Sequence, residues 1–184
     1  MLILASQSPR RSEILRQAGI DFIVRPANVD EAVLADESPE TYVKRVAAEK
    51  ATAAEAGPSD IVLGADTVVV ADGQIFGKPA DQADAVRMLE MLSGREHTVL
   101  TGICLRHGNE TVLDVAETRV WFLPLTRSEL DEYVATGEPL DKAGAYAIQG
   151  LASKFIQRIE GSYANVVGLP IELVCEYLRR WEHA

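Results

Sequence analysis

The sequence predicts an α/β chain, and three observations carry the prediction. Short apolar runs at Leu2–Ala5, Phe22–Val24 and Ile61–Val70 read as strands. Between them lie segments whose apolar residues recur at helical spacing, Ile14, Leu15 and Ala18 in the first and Tyr42, Val43, Val46 and Ala47 in the second. Two longer strand-like stretches, His97–Leu105 and Thr111–Leu123, meet at a turn over His107–Asn109. At 184 residues the chain suits one domain over residues 1–184, with room for two lobes. It is long enough to bury about two-thirds of its unfolded surface.

Leu2–Ala5 reads as a short buried strand that runs into Ser6-Gln7-Ser8-Pro9-Arg10-Arg11. Ser8 is a natural N-cap and Pro9 suits the first helical position, so a helix opens there and stops at Gly19. Such a helix start presents backbone N–H groups and the positive end of a dipole, which favours phosphate, and Arg10 and Arg11 add fixed charge. The same pattern also suits a capped surface helix with solvated arginines. Phe22–Val24 is a second strand. In the acidic segment after it, Asp30 or Glu31 suits a hard cation, or else a solvated loop. Ser38 and Pro39 open a long amphipathic helix to Ala56, with Lys50 late in it as either a phosphate ligand or a lysine on the helix dipole.

Ile61–Val70 carries the oddity on which the functional reading turns. Asp66 sits between Ile61-Val62-Leu63 and Val68-Val69-Val70, a β-branched setting typical of a strand buried on both faces. An unpaired buried carboxylate costs several kcal/mol, so it needs a cation, a proton or a partner. Gly64 and Ala65 leave little bulk, which lets a ligand or another backbone approach closely. Asp72-Gly73 is a tight hairpin turn that returns Gln74-Ile75-Phe76 toward Gly77-Lys78 and brings Lys78 beside Asp66. A carboxylate and an ammonium at one strand end suit a metal-phosphate substrate; they equally suit an ion pair that closes a hairpin.

Asp81–Leu92 follows as a helix with Ala85, Met88, Leu89 and Leu92 inward, ended by Ser93-Gly94. After the two long strands, the capping box Thr126-Arg127-Ser128-Glu129 opens a helix to about Ala135, and Gly137 stops it. Glu138–Gly150 is read as a loop that lines a site. Its Gln149 has donors and an acceptor with which to read a base edge, and its Tyr146 can stack or close a wall. A plain Gly-rich connection with polar tips is the alternative. Lys154–Ile159 is the last strand, Gly161–Asn165 a turn, and Gly168-Leu169-Pro170 starts a final helix packed through Leu173, Val174, Tyr177, Leu178 and Trp181.

The formal net charge of −10 argues against long nucleic acid as a partner, because a phosphate backbone needs a basic face. A single nucleotide needs only local cations, and Arg10, Arg11, Lys50 and Lys78 stand out against the acidic background. No long apolar run or signal-peptide pattern is present, so no membrane partner is expected and the cytoplasm is the default compartment. Cys104 and Cys175 read as buried thiols rather than a disulfide or zinc site. His97, His107 and His183 are scattered and receive no catalytic role. Apolar positions read as exposed on the helix around Leu130–Tyr133 permit a homodimer.

Laid end to end, several stretches resemble the Maf family of nucleoside triphosphate pyrophosphatases. They are Leu4-Ala5-Ser6-Gln7-Ser8-Pro9-Arg10-Arg11, Asp30-Glu31, Ala48-Glu49-Lys50-Ala51, Gly64-Ala65-Asp66-Thr67-Val68, Gly77-Lys78-Pro79, the run from Asp141 to Gly150, and Val166-Val167-Gly168-Leu169-Pro170. Their order and spacing are jointly specific, and the likeness covers nearly the whole chain. The resemblance implies an elongated mixed β-sheet with flanking helices and a cleft between two lobes, as in inosine triphosphate pyrophosphatases. It also implies cleavage of a nucleoside triphosphate to the monophosphate and pyrophosphate with a divalent metal cation, usually Mg2+ or Mn2+. Arg10, Thr67 and Gln149 match the branch that acts on dTTP and UTP. Gln74 departs from the acidic residue expected in the hairpin.

The resemblance assigns Asp66 as proton acceptor, while the residues themselves leave base and metal ligand both open. Lys50, Lys78 and Arg10 are expected to neutralise charge on the triphosphate as water attacks the α-phosphorus, and Glu31 to help Asp66 hold the metal. Ser6, Ser8, Arg10, Arg11, Thr67 and Gln149 are the expected substrate contacts. Two competing functions are a nucleotide-binding regulator of cell division and housecleaning of modified nucleotides.

Overall fold

In a computed structural model that describes residues 1–182, the strands are β1 (Leu2–Leu4), β2 (Phe22–Val24), β3 (Ile61–Ala71), β4 (Gln74–Phe76), β5 (Glu96–His107), β6 (Glu110–Phe122) and β7 (Ile156–Glu160). The helices are α1 (Pro9–Gln17), α2 (Pro39–Ala53), α3 (Gln82–Leu92), α4 (Arg127–Ala135), α5 (Tyr163–Val167) and α6 (Ile171–Glu182). His183 lies outside the described residues. The described strands form one seven-stranded mixed sheet in the order β2-β1-β3-β5-β6-β7, with β4 paired to β3 off this path. β1 pairs parallel with β2 and β3, whereas β3–β4 and β6–β7 are antiparallel, so the α/β expectation is met. Two compact units result, with their boundaries inside β3, β5 and β6.

The first unit comprises Met1–Asp66, Thr101–Ala116 and the chain from Gly168 onward. Its α2 begins where Ser38 accepts a hydrogen bond from the Thr41 N–H with Pro39 next in line. Two glycines then let α2 lie unusually close to the strands. A Cβ on Gly64 would stand 2.1 Å from the Ala47 carbonyl oxygen, and one on Gly102 would stand 2.3 Å from that of Val43. The backbone that Gly64 admits is therefore α2. Ile3, Ala5, Ala47, Ala51, Ala54, Val62 and Cys104 close the core there, and the alanines among them suit such an approach. Cys104 is buried as expected, but Cys175 is only half-buried.

The second unit comprises Thr67–Leu100 and Glu117–Val167. Asp72 and Gly73 take positive φ at +48° and +74°, and the turn folds Phe76 back opposite Val69. Asp81 caps α3 through the Asp84 N–H, and the Thr126–Glu129 capping box opens α4 as its sequence dictates. Leu130 and Tyr133 are buried in the unit's own core with Leu89, Phe122 and Phe155, so the exposure read for them in the sequence is not found. The loop expected over Glu138–Gly150 contains two 3-10 turns, Glu138–Asp141 and Ala143–Ala145. Lys154 and Phe155 belong to a third, Leu151–Phe155, because Phe155 is drawn into the core against Tyr133; the strand begins at Ile156. The expected turn at Gly161–Asn165 instead gives rise to α5. There Ser162 Oγ accepts from the Asn165 N–H, and Asn165 Nδ2 donates to Val99 O at 3.1 Å and to Thr118 Oγ1 at 3.0 Å.

Candidate active site

Strand alternation sets the geometry at the middle of β3. Gly64 faces α2, and Asp66, two residues on, faces the same way. Lys50 lies three residues past Ala47 on α2, and its Nζ donates to Asp66 Oδ1 at 2.7 Å. The same nitrogen lies 2.7 Å from Glu31 Oε1. Lys50 is 8% exposed and Asp66 7%, whereas the Glu31 side chain is 49% exposed. One ammonium therefore joins a buried carboxylate to an accessible one.

Glu31 owes its place to two residues of α2, Tyr42 and Arg45. Tyr42 on α2 donates from its hydroxyl to the Glu31 carbonyl at 2.8 Å, and Arg45 Nη2 donates to the Ala32 carbonyl at 2.9 Å. Arg45 also grips Glu37, whose carboxylate accepts the Leu34 N–H. Burial, with the charges of Asp66 and Glu31 behind it, pushes the Tyr42 pKa up, so the hydroxyl stays a donor. Nothing in the local sequence pattern distinguishes this tyrosine from an ordinary core residue.

Arg11, also buried, straps three segments together. Its Nε donates to Gly168 O at 2.8 Å, and its Nη1 to Ser6 Oγ at 3.0 Å and to Ala65 O at 2.9 Å, one residue before Asp66. Burial lowers the Arg11 pKa and the Asp66 charge opposes that shift. Ser6 is buried beside it, and its Oγ accepts the Ser8 N–H at 3.2 Å. Ser8 stands at the N-cap position of α1, but its side chain makes no cap bond; Ser6, held by Arg11, takes the local N–H instead. Arg10 is half-buried at the start of the helix.

Thr67, Lys78 and Gln149 belong to the second unit. Thr67 is half-buried on β3, Lys78 is exposed just after β4, and Gln149 is exposed at the tip of a turn. The Gly144 N–H donates to Gly77 O at 3.0 Å, which ties the 143–150 segment to the residue before Lys78. Tyr146 is buried rather than displayed, and its hydroxyl shares a 2.8 Å hydrogen bond with His97 Nε2.

Among the described residues no cluster of three or more His, Cys, Asp or Glu could cage a metal. What the site offers is a pair of carboxylates, Asp66 and Glu31, already drawn to one cation. That hard oxygen pair fits a magnesium-like ion, which takes one or two protein carboxylates and completes its shell with phosphate oxygens and water. No helix among the described residues is long and apolar enough to cross a membrane.

The Maf-like protein family model matches residues 1–181. A dTTP/UTP pyrophosphatase of Koribacter versatilis is 52% identical over 180 residues, which cover 97% of this chain and 93% of that protein. Another, from Symbiobacterium thermophilum, is 52% identical over 181 residues, covering 98% and 93%. Among solved structures, the Ham1 protein of Staphylococcus aureus matches with a TM-score of 0.55 at 14% identity over 97% of both chains, a likeness of fold.

Proposed function

We propose that this chain, which belongs to the Maf-like protein family, is a nucleoside triphosphate pyrophosphatase that cleaves dTTP and UTP to the monophosphate and pyrophosphate. The observation that carries the reading is Lys50 Nζ at 2.7 Å from both Asp66 and Glu31. Lys50, with Arg11 close by, only balances the two carboxylates and leaves no surplus positive charge for a triphosphate tail, which calls for a further cation to arrive with it. Asp66 and Glu31 would hold a divalent ion, which when bound would supply that positive charge and make a water more acidic. Magnesium and manganese are the expected ions.

The chain's own residues take these parts. Asp66 accepts the proton of the water that attacks the α-phosphorus, which requires it within hydrogen-bond reach of that water. Lys50 has three N–H donors, two directed to carboxylates, and a third to offer a phosphate oxygen. With Arg10 and Lys78 it neutralises charge that builds on the phosphates. Arg11 and Ser6 hold the start of α1 against β3, so its backbone N–H groups and Ser8 meet the phosphate tail. Thr67 and Gln149 contact the base, where a neutral amide suits the donor and acceptors of thymine or uracil. The reading takes the cytoplasm as its compartment.

A panel of dTTP, UTP, CTP and 7-methyl-GTP, with product analysis and with and without Mg2+, tests reaction, base and metal together. The expected result is monophosphate plus pyrophosphate, fastest from dTTP and UTP and only with the ion. Calorimetric binding of dTTP without any product would overturn the enzyme reading in favour of a nucleotide sensor.

A further inference from the structure

Gln149 sits in a four-residue turn, Ala147-Ile148-Gln149-Gly150, closed by the Gly150 N–H donating to Ala147 O at 3.0 Å. An exposed turn of this kind would let its tip wander, but here both feet are clamped by one pair of residues. The Ala147 N–H donates to the Tyr133 hydroxyl at 3.2 Å, and that hydroxyl donates to Glu138 Oε1 at 2.8 Å. At the far foot the Leu151 N–H donates to Glu138 Oε2 at 3.1 Å. The carboxylate lies so close against the turn that a Cβ on Gly150 would stand 2.4 Å from both of its oxygens. Glycine is thus the residue that admits the clamp.

The clamp is itself anchored. Tyr133 is buried on α4, with its ring edge-on to Phe155 at 5.4 Å. Glu138 follows Gly137, whose φ of +77° ends α4, and its own N–H is held by Thr136 Oγ1 at 3.2 Å. Burial, reinforced by the Glu138 hydrogen bond, pushes the Tyr133 pKa up, so its hydroxyl remains a donor to the carboxylate. Tyr133 on α4 and Glu138 just past its end therefore control both ends of the turn that carries Gln149.

We propose that Tyr133 and Glu138 are positioning residues for base selectivity: they fix the Ala147–Gly150 turn so that the Gln149 amide meets a pyrimidine edge, without touching the nucleotide themselves. The proposal rests on the reading of Gln149 as the base contact. A recognition amide must be held within roughly 0.5 Å of its productive geometry, and a four-residue turn released at either foot does not hold it so. Tyr133→Phe removes one oxygen and keeps the ring in the core. Glu138→Gln keeps the shape but replaces one acceptor with an NH2 group, so it cannot accept from both Tyr133 and Leu151.

Steady-state kinetics with UTP and CTP on the full chain, with Gln149→Ala alongside, provides the test. We expect Tyr133→Phe and Glu138→Gln each to lower the UTP-over-CTP ratio of kcat/KM by about tenfold, as for one lost recognition hydrogen bond, through a raised KM for UTP with kcat little changed. Gln149→Ala should abolish the preference. If Gln149→Ala abolishes it while both clamp variants keep the wild-type ratio, the positioning role is overturned and the base reading stands. If the clamp variants lose activity equally on both nucleotides, their role is structural only and the proposal is again overturned. If Gln149→Ala leaves the ratio unchanged, the base reading fails and takes the positioning role with it.

Discussion

Replacing Lys50 by methionine removes the ammonium that Glu31 and Asp66 share at 2.7 Å each, and it leaves two carboxylates facing one another. Breaking a buried ion pair by deleting one member costs about 3–5 kcal/mol. The cost here belongs at the low end, about 3 kcal/mol, because Arg11 still faces Asp66 and Glu31 is half exposed to water. Asp66→Asn behaves differently. Lys50 keeps Glu31, and the amide oxygen can still accept from Nζ, so the loss is about 1 kcal/mol. In a chain of this size the Lys50→Met loss corresponds to a Tm lowered by roughly 6–12 °C, and the Asp66→Asn loss to roughly 2–4 °C. Thermal unfolding, in parallel with pyrophosphate release from dTTP, reads both quantities. Turnover should fall roughly a thousandfold in Asp66→Asn despite its near-native stability. If Lys50→Met melts with wild type, or Asp66→Asn melts as low as Lys50→Met, the shared-cation geometry is wrong.

Other outcomes follow from the same contacts. His97 is 2% exposed and burial lowers its pKa to about 3, so the unfolded chain binds the extra proton below about pH 6.5. Stability should drop as pH falls from 6.5 toward 3, by about 1.4 kcal/mol per unit once the unfolded histidine is charged, and denaturant titrations of His97→Phe should lack that component. Gly64→Ala places a Cβ 2.1 Å from Ala47 O and must push α2 outward, so it should cost about 2–3 kcal/mol and weaken catalysis by moving Lys50 off Asp66; unchanged turnover would refute the link. Arg11→Lys cannot reproduce a planar fork that serves Gly168, Ser6 and Ala65 together, and chemical denaturation should show a loss of about 2 kcal/mol.

Ion-pair partners and loop anchors were the least legible features of the sequence. Asp66 was marked by its β-branched neighbours, yet its partner Lys50 lies sixteen positions away on a helix, and only the approach of α2 at Gly64 and Gly102 joins them. Tyr42 and Tyr133 look like apolar face residues because periodicity sees only the ring, and each hydroxyl finds its role through a backbone that folds back on it. Phe155 and Asn165 moved their segments out of the expected strand and turn because each was claimed by distant core atoms.

By itself the sequence determined most of the strands, the capped starts of α2 and α4, the Asp72-Gly73 turn and the isolation of one acid in an apolar run, because apolar period, capping and turn conformation act over a few residues. Only the tertiary structure decided that Lys50 ties Asp66 to Glu31, that Arg11 straps Ser6 to β3, and that Tyr133 and Glu138 hold the turn of Gln149. Those partners depend on how closely separate elements pack, and that distance is set by small residues and buried hydrogen bonds which local pattern does not encode.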